Sequence, residues 1–266
     1  MRRVLPEDWW PDSWRKSYTY DLLEVYDDRT NPGYSFAYQS RMRQALELVQ
    51  RAGPPGCRVL DAAAAQGNLS LRLAEIGYHV TWNDIREELS GYVAQKHECG
   101  TIEYLPGNVL ELEQHGPWDV VVAAEVLEHA AHPDQVLAAL ARLLTPTGCL
   151  VVTTPNGEYF RNPLPRFGDC SDPSAYEGSQ FQPDADGHIF LLTAEELRSL
   201  GLAAAMRVEE LRFFTTPLTN GRLGSEPVLR RLPENLVWRL EALAGLIPQG
   251  LQRRLNTGMA ALLRPS

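Results

Sequence analysis

The chain has 266 residues, 44% of them hydrophobic, which suits one large packed domain or a domain with additions. Its formal net charge of −9 argues against a broad nucleic-acid footprint, because phosphate binding relies on clustered Lys and Arg. No run approaches the ~20 apolar residues of a membrane span, and no apolar leader follows Arg2 and Arg3, so a cytoplasmic chain without a transmembrane segment is expected. Cys57, Cys99, Cys149 and Cys170 lie too far apart for a Cys-x-x-Cys pair and read as free thiols.

In chain order, residues 1–36 form an N-terminal arm rich in Trp, Tyr, Pro and Asp, without a clear period. Trp9, Trp10 and Trp14 either close over a substrate or pack on the domain. Residues 37–266 form the main domain. It opens with a helix over 37–52, which carries Arg41 and Arg43 and stops at Gly53-Pro54-Pro55-Gly56. Arg58 to Ala62 reads as a strand, Ala63-Ala64-Ala65-Gln66-Gly67 as a tight turn, and Asn68 onward as a helix. Small residues let a backbone approach a ligand closely, and the helix start offers N–H groups to an anion. The next apolar run ends at Asp84, where a carboxylate suits a ribose diol. A short run over 102–105 precedes Gly107-Asn108-Val109. Residues 118–124 form a buried strand that leads into Glu125-Val126-Leu127-Glu128-His129. An amphipathic helix over 133–144 and a buried strand before Asn156 follow.

Strands alternating with helices predict an α/β fold with a doubly wound, Rossmann-like sheet. Ligands on such sheets sit at the carboxyl ends of strands. Asp84, Asn108, Glu125 and Asn156 all fall at or after strand ends. Residues 157–187 read as a loop, and Thr193 with Glu196 as a capping box. A strand over 203–214, helices over 227–254 and a last strand over 255–263 complete the chain. The late strands give the mostly parallel sheet an antiparallel C-terminal edge. Residues 157–187 and 217–254 are the expected acceptor-site loop and cap, the cap helices alternatively only packing on the sheet edge.

The segment from Asp61 to Gly67 resembles the first motif of class I S-adenosylmethionine (SAM) dependent methyltransferases, whose usual form is Asp-x-Gly-x-Gly-x-Gly. Asp61 and Gly67 match, while Ala63 and Ala65 replace the first two glycines. Glu125-x-x-Glu128-His129, the Leu144-x-Pro146-x-Gly148 turn and Thr154-Pro155-Asn156 are similar to the ubiquinone-type O-methyltransferases and type 11 relatives. The resemblance implies SAM as cofactor. It places Asp61, Ala63, Ala65, Gln66 and Gly67 at the methionine part, Asp84 on the ribose, Asn108 and Val109 beside the adenine, and Glu125 near the cofactor. Arg41 and Arg43 read first as solvated charges, with pairing of one of them to the SAM carboxylate as the alternative. The implied reaction is O-methylation of a hydroxylated small molecule: a phenol, quinol, sugar or lipid precursor.

An oxygen acceptor needs its proton removed, and His129 is the expected base by its pKa, with Glu128 beside it. A different role follows from spacing. Glu125, Glu128 and His129 stand at i, i+3 and i+4, which one helical turn would bring to one side. With His188 they make a mixed O/N ligand set for Mg, Mn, Fe or Zn. Such a set resembles that of small-RNA 2′-O-methyltransferases, as does Thr154 to Tyr159. His129 cannot be both base and ligand. RNA 2′-O-methylation and a non-catalytic SAM-binding role are the alternatives. The acidic charge makes nucleic acid an unexpected partner.

Overall fold

The expected strands form on apolar runs covered on both faces of the sheet, except the edge strand over 101–104, which stays partly exposed. They are β1 (Arg58–Ala62), β2 (His79–Trp82), β3 (Thr101–Tyr104), β4 (Trp118–Ala124) and β5 (Leu144–Pro155). In the computed structural model, which describes residues 1–26, 28, 30–180 and 187–266, they join β6 (Met206–Phe214) and β7 (Gly258–Pro265) in a seven-stranded sheet. Its order is β3-β2-β1-β4-β5-β7-β6. β1 to β5 are parallel, and β7 runs antiparallel to both β5 and β6. The fold is the doubly wound α/β sheet expected from the strand–helix alternation, with β7 slotted between β5 and the outermost β6.

The helices are α1 (Asp12–Glu24), α2 (Pro32–Ala52), α3 (Asn68–Glu75), α4 (Leu89–Lys96), α5 (Pro133–Arg142) and α6 (Ala194–Ala203), followed by a cap of α7 (Glu226–Leu229), α8 (Glu234–Ala244) and α9 (Gln249–Leu255). One face of the sheet packs Val59, Val120, Val122 and Val151 against Leu48 and Val49 of α2 and Leu73 of α3. The other packs Leu60, Val121 and Leu150 against Leu137 and Leu140 of α5 and Leu197 of α6. α6 starts on the expected capping box: Thr193 Oγ1 accepts from the Glu196 amide, and the Glu196 carboxylate accepts from the Thr193 amide.

The structure departs from the sequence reading in several places, one being β6, which begins at Met206 rather than residue 203 because α6 runs through Ala203. The arm contains α1, whose buried positions Trp14, Ser17, Asp21 and Glu24 keep a helical period although three of them are polar. α2 begins at Pro32 rather than residue 37, because the Asn31 side chain caps it at the Tyr34 amide and Pro32 fits the first turn. The last strand begins at Gly258 rather than residue 255, since α9 runs through Leu255. Of the expected acceptor-site loop over 157–187, residues 181–186 lie outside the described residues.

Candidate active site

In the order β3-β2-β1-β4-β5 the chain first winds outward from β1 and then restarts on its other side at β4. The loops after β1 and β4 therefore part at the carboxyl edge, where such sheets bind ligands. A cleft of about 800 Å³ opens there, within the range of small-ligand sites. Asp61, Ala63, Ala65, Gln66, Asp84, Asn108, Val109, Glu125, His129 and His188 all line it. Gly67 and Glu128 stand behind its wall.

The turn after β1 is left-handed at two alanines, with φ of 52° at Ala63 and 48° at Ala65. The chain thus keeps at Ala63 and Ala65 the conformation that glycine adopts without strain. Gly67 also has positive φ, at 69°. A Cβ there would meet both methyl carbons of Val93 at 2.7 Å, so its smallness serves packing between α3 and α4 rather than ligand approach. Asp61 is buried, accepts from Ser70 Oγ at 2.6 Å, and has its pKa pushed up by burial to about 7. Asp84 accepts from the Ala65 amide at 2.8 Å and from the Arg86 amide and guanidinium. The Asn108 side chain accepts from the Leu110 amide and so shapes the turn that carries Val109.

The arm and α2 make the opposite wall. Glu24 of α1 accepts from Gln66 Nε2 at 2.6 Å, Asn68 Nδ2 at 3.2 Å and Tyr34 OH at 2.7 Å. Burial raises the pKa of Glu24 against those donors. Asp21 lies deeper. It is bound by Lys96 Nζ at 2.6 Å, Tyr92 OH at 2.7 Å and Asn68 Nδ2 at 2.7 Å. Trp10 and Trp14 are buried against Tyr92, whereas Trp9 is 59% exposed. The arm therefore packs through its indoles and lends Lys16, Tyr20 and Glu24 to the cleft. The sequence reading missed Asn83 as well. Its Nδ2 donates to Leu105 O and Gly107 O and fixes the loop after β3. A buried amide ending an apolar strand was the available signal.

The motif after β4 does not form the expected helical turn. Glu125 is left-handed at φ 56°, and only Leu127–His129 form a 3-10 turn. Glu125 is thereby turned toward α2. It pairs with Arg41 at 3.1 Å and accepts from Thr153 Oγ1 at 3.1 Å, so it leaves the expected four-residue metal set. Burial is the strongest influence and disfavours the Arg41 charge, but Glu125, Tyr38, Glu24 and Tyr34 together outweigh it and the pKa is raised. Arg43 instead pairs with Glu47 on the outer side of α2.

Glu128, His129 and His188 do come together, with one ligand atom of each within 4.8 Å of the others. The Ile189 amide donates to Glu128 O at 2.7 Å, and His129 Nδ1 meets Gly187 O at 3.1 Å, which brings the remote histidine in. The two imidazoles stack edge-on at 4.9 Å. Glu128 is fully buried, and one of its oxygens accepts from Thr154 Oγ1 while Oε1 has no hydrogen-bond partner among the described residues. Burial, and secondly the Glu125 charge, raise the Glu128 pKa well above the usual carboxylate range. Burial and the neighbouring His129 lower that of His188. Asn156 does not join the site. Its amide donates to Arg253 O and Asn256 O and braces β5 against α9.

Against known proteins, residues 37–211 match the family described as "Methyltransferase domain". The chain is 40% identical over 117 residues to a ubiquinone biosynthesis O-methyltransferase of Xanthomonas axonopodis pv. citri, a match covering 42% of this chain and 48% of that protein. It is 37% identical over 122 residues to the protein of that name from a Caulobacter species, again covering 42% of this chain and 48% of the relative. The chain thus spans about half the length of these relatives. The solved N-methyltransferase NodS from Bradyrhizobium japonicum, in complex with S-adenosyl-L-homocysteine, superposes with a TM-score of 0.56 at 17% identity, covering 96% of this chain and 99% of that one. That likeness carries the fold alone. The match over residues 37–211 carries the family assignment: the chain belongs to the methyltransferase-domain family.

Proposed function

We propose that the protein is a SAM-dependent O-methyltransferase acting on a hydroxylated small molecule, a phenol, quinol, sugar or lipid precursor. The observation that carries the reading is one cleft holding both a cofactor-type wall (residues 63–66 with Asp84) and two proton- or metal-binding imidazoles (His129, His188) with Glu128 directly behind them. The names of the two relatives support oxygen as the acceptor atom.

Bound SAM would supply a sulfonium methyl for in-line transfer, leaving the protein to position and desolvate. Asp84 would hold the ribose hydroxyls in place of part of its Arg86 contact, and Asn108 and Val109 would flank the adenine. Arg41 would pair with the methionine carboxylate, sharing it with Glu125. With Nδ1–H assigned toward Gly187 O, His129 carries its lone pair on Nε2. In that tautomer it takes the acceptor proton as general base.

A second reading of the same cluster rests on Glu128 Oε1, which has no hydrogen-bond partner among the described residues. A buried carboxylate oxygen without a donor fits a cation. Glu128, His129 and His188 would then hold a divalent ion, which would lower the acceptor hydroxyl's pKa. Two imidazoles favour Mn, Fe or Zn, whereas a carboxylate with waters suits Mg. His129 would be a ligand and not the base.

Calorimetric titration of SAM, then turnover on phenols, quinols, sugars and short RNA oligonucleotides, tests the function. SAM binding with methyl transfer to small hydroxyl compounds is expected. Absence of SAM binding, or transfer to RNA alone, would overturn it. Metal analysis of protein purified without chelator, with activity measured in EDTA, separates the two readings. Full activity in EDTA leaves His129 as the base.

A further inference from the structure

The helical cap between β6 and β7 turns its leucines outward. On α8, Val237 is buried, Trp238 packs on Phe36 of α2 at 4.5 Å, and Glu241 accepts from the Thr216 amide and the Thr219 hydroxyl. The opposite side carries Leu236, Arg239, Leu240 and Leu243, at i, i+3, i+4 and i+7. Leu240 is 46% exposed and Leu243 62%. Leu246 follows at 80%, and α9 repeats the arrangement: Leu251 and Leu255 point out, while Arg253 turns in to Glu158 and Glu195. A surface helix ordinarily faces water with its polar side. A run of exposed leucines along two successive helices marks a surface that is covered in use.

Charge indicates what covers it. Residues 217–255 hold six arginines against three glutamates, a local net of +3 in a chain of −9. The glutamates are spent locally: Glu226 accepts from the Gly33 amide, Glu234 from Trp238 Nε1, and Glu241 as above. Arg222, Arg230, Arg231, Arg239 and Arg254 make no ion pair among the described residues. Leucines set among unneutralised arginines complement acyl chains beneath anionic headgroups. A two-fold contact with another copy would instead press the same arginines together. No helix among the described residues is long and apolar enough to cross a membrane, so the cap would lie on the lipid rather than span it.

We propose that the outer face of α8 and α9 is a docking surface for an anionic lipid bilayer. Asn220 and Arg222 at the foot of the cap line the cleft, so docking brings the cleft mouth toward the lipid. Lipid docking at this face does not depend on methyl transfer in the cleft.

The test is cosedimentation of the full chain with vesicles of phosphatidylcholine alone, or of equimolar phosphatidylcholine and phosphatidylglycerol. Binding to the mixed vesicles, weakened by salt, is expected. Leu240→Glu with Leu243→Glu should lower the partition coefficient about tenfold or more, as should Arg239→Glu with Arg254→Glu. Thermal midpoints should stay unchanged, since these side chains face outward. Equal binding to both vesicle types, no binding to either, or undiminished binding by both double variants would overturn the proposal. So would a dimer in sedimentation velocity that Leu240→Glu dissolves, because the face would then belong to a second copy.

Discussion

Removing the buried cation at Lys96 should release the arm. Lys96 and Asp21 are both 0% exposed, and the ammonium donates to Asp21 at 2.6 Å and to Asn68 Oδ1 at 2.7 Å. Burial lowers the Lys96 pKa even though Asp21 opposes it, so the pair as a whole stabilises little. The cost lies in breaking it. Lys96→Met keeps the aliphatic stem but leaves the Asp21 carboxylate, among the described residues, with Tyr92 OH and Asn68 Nδ2 as its side-chain donors. Losing one member of a buried pair costs about 3–5 kcal/mol, a large part of the ~5–15 kcal/mol that holds a domain together. Asp21→Asn added to Lys96→Met removes both charges and should restore at least half of the loss. Urea unfolding followed by tryptophan fluorescence is the assay, because Trp10, Trp14 and Trp82 sit in the cluster that seats the arm. A loss under about 1 kcal/mol, as for a surface pair, or a double variant no more stable than Lys96→Met, would refute the reasoning.

Further outcomes follow from the cleft. Ala65→Gly relieves about 1–2 kcal/mol of left-handed strain and gives back roughly 0.4–1 kcal/mol in unfolded-chain entropy. A small rise in thermal midpoint is therefore expected, and a fall would contradict the positive φ. Asp84→Ala should weaken SAM tenfold or more by calorimetry while the circular dichroism spectrum is kept. At Asp61 the pKa rises from 3.8 to about 7 on folding, so the native state holds the proton more tightly. Asp61 therefore makes unfolding free energy decline as pH climbs through that window, and Asp61→Asn should flatten the decline in urea titrations at several pH values.

The sheet was legible because its strands announce themselves twice, by buried runs and by the small or polar residues that end them. The order β1, α3, β2, α4, β3, β4, α5, β5 follows from residues 57–156 alone. The arm was not legible, because α1 buries Ser17, Asp21 and Glu24 and so hides its helical period from a hydrophobic pattern. A lysine at a helix end is ordinarily solvated, yet Lys96 is buried beneath the arm. In the motif after β4, i, i+3, i+4 spacing presumes helical backbone from Glu125 onward. The left-handed φ at Glu125 breaks that premise and sends one carboxylate away from the other. The approach of His188 depends on the backbone hydrogen bond from Ile189 to Glu128 and on the His129 imidazole meeting Gly187 O, which no local pattern encodes.

That short motif also bears on how such a protein can be re-engineered. Glu125 grips Arg41 on α2, the Glu128 carbonyl holds Ile189, and His129 meets Gly187, so residues 125–129 touch both walls of the cleft. A chimera that imports residues 157–192 from a relative would set a foreign segment against a native clasp. The natural unit of recombination is therefore discontinuous: residues 125–129 must travel with the distant segment they hold, while α2 can stay behind provided its arginine still finds a carboxylate at position 125.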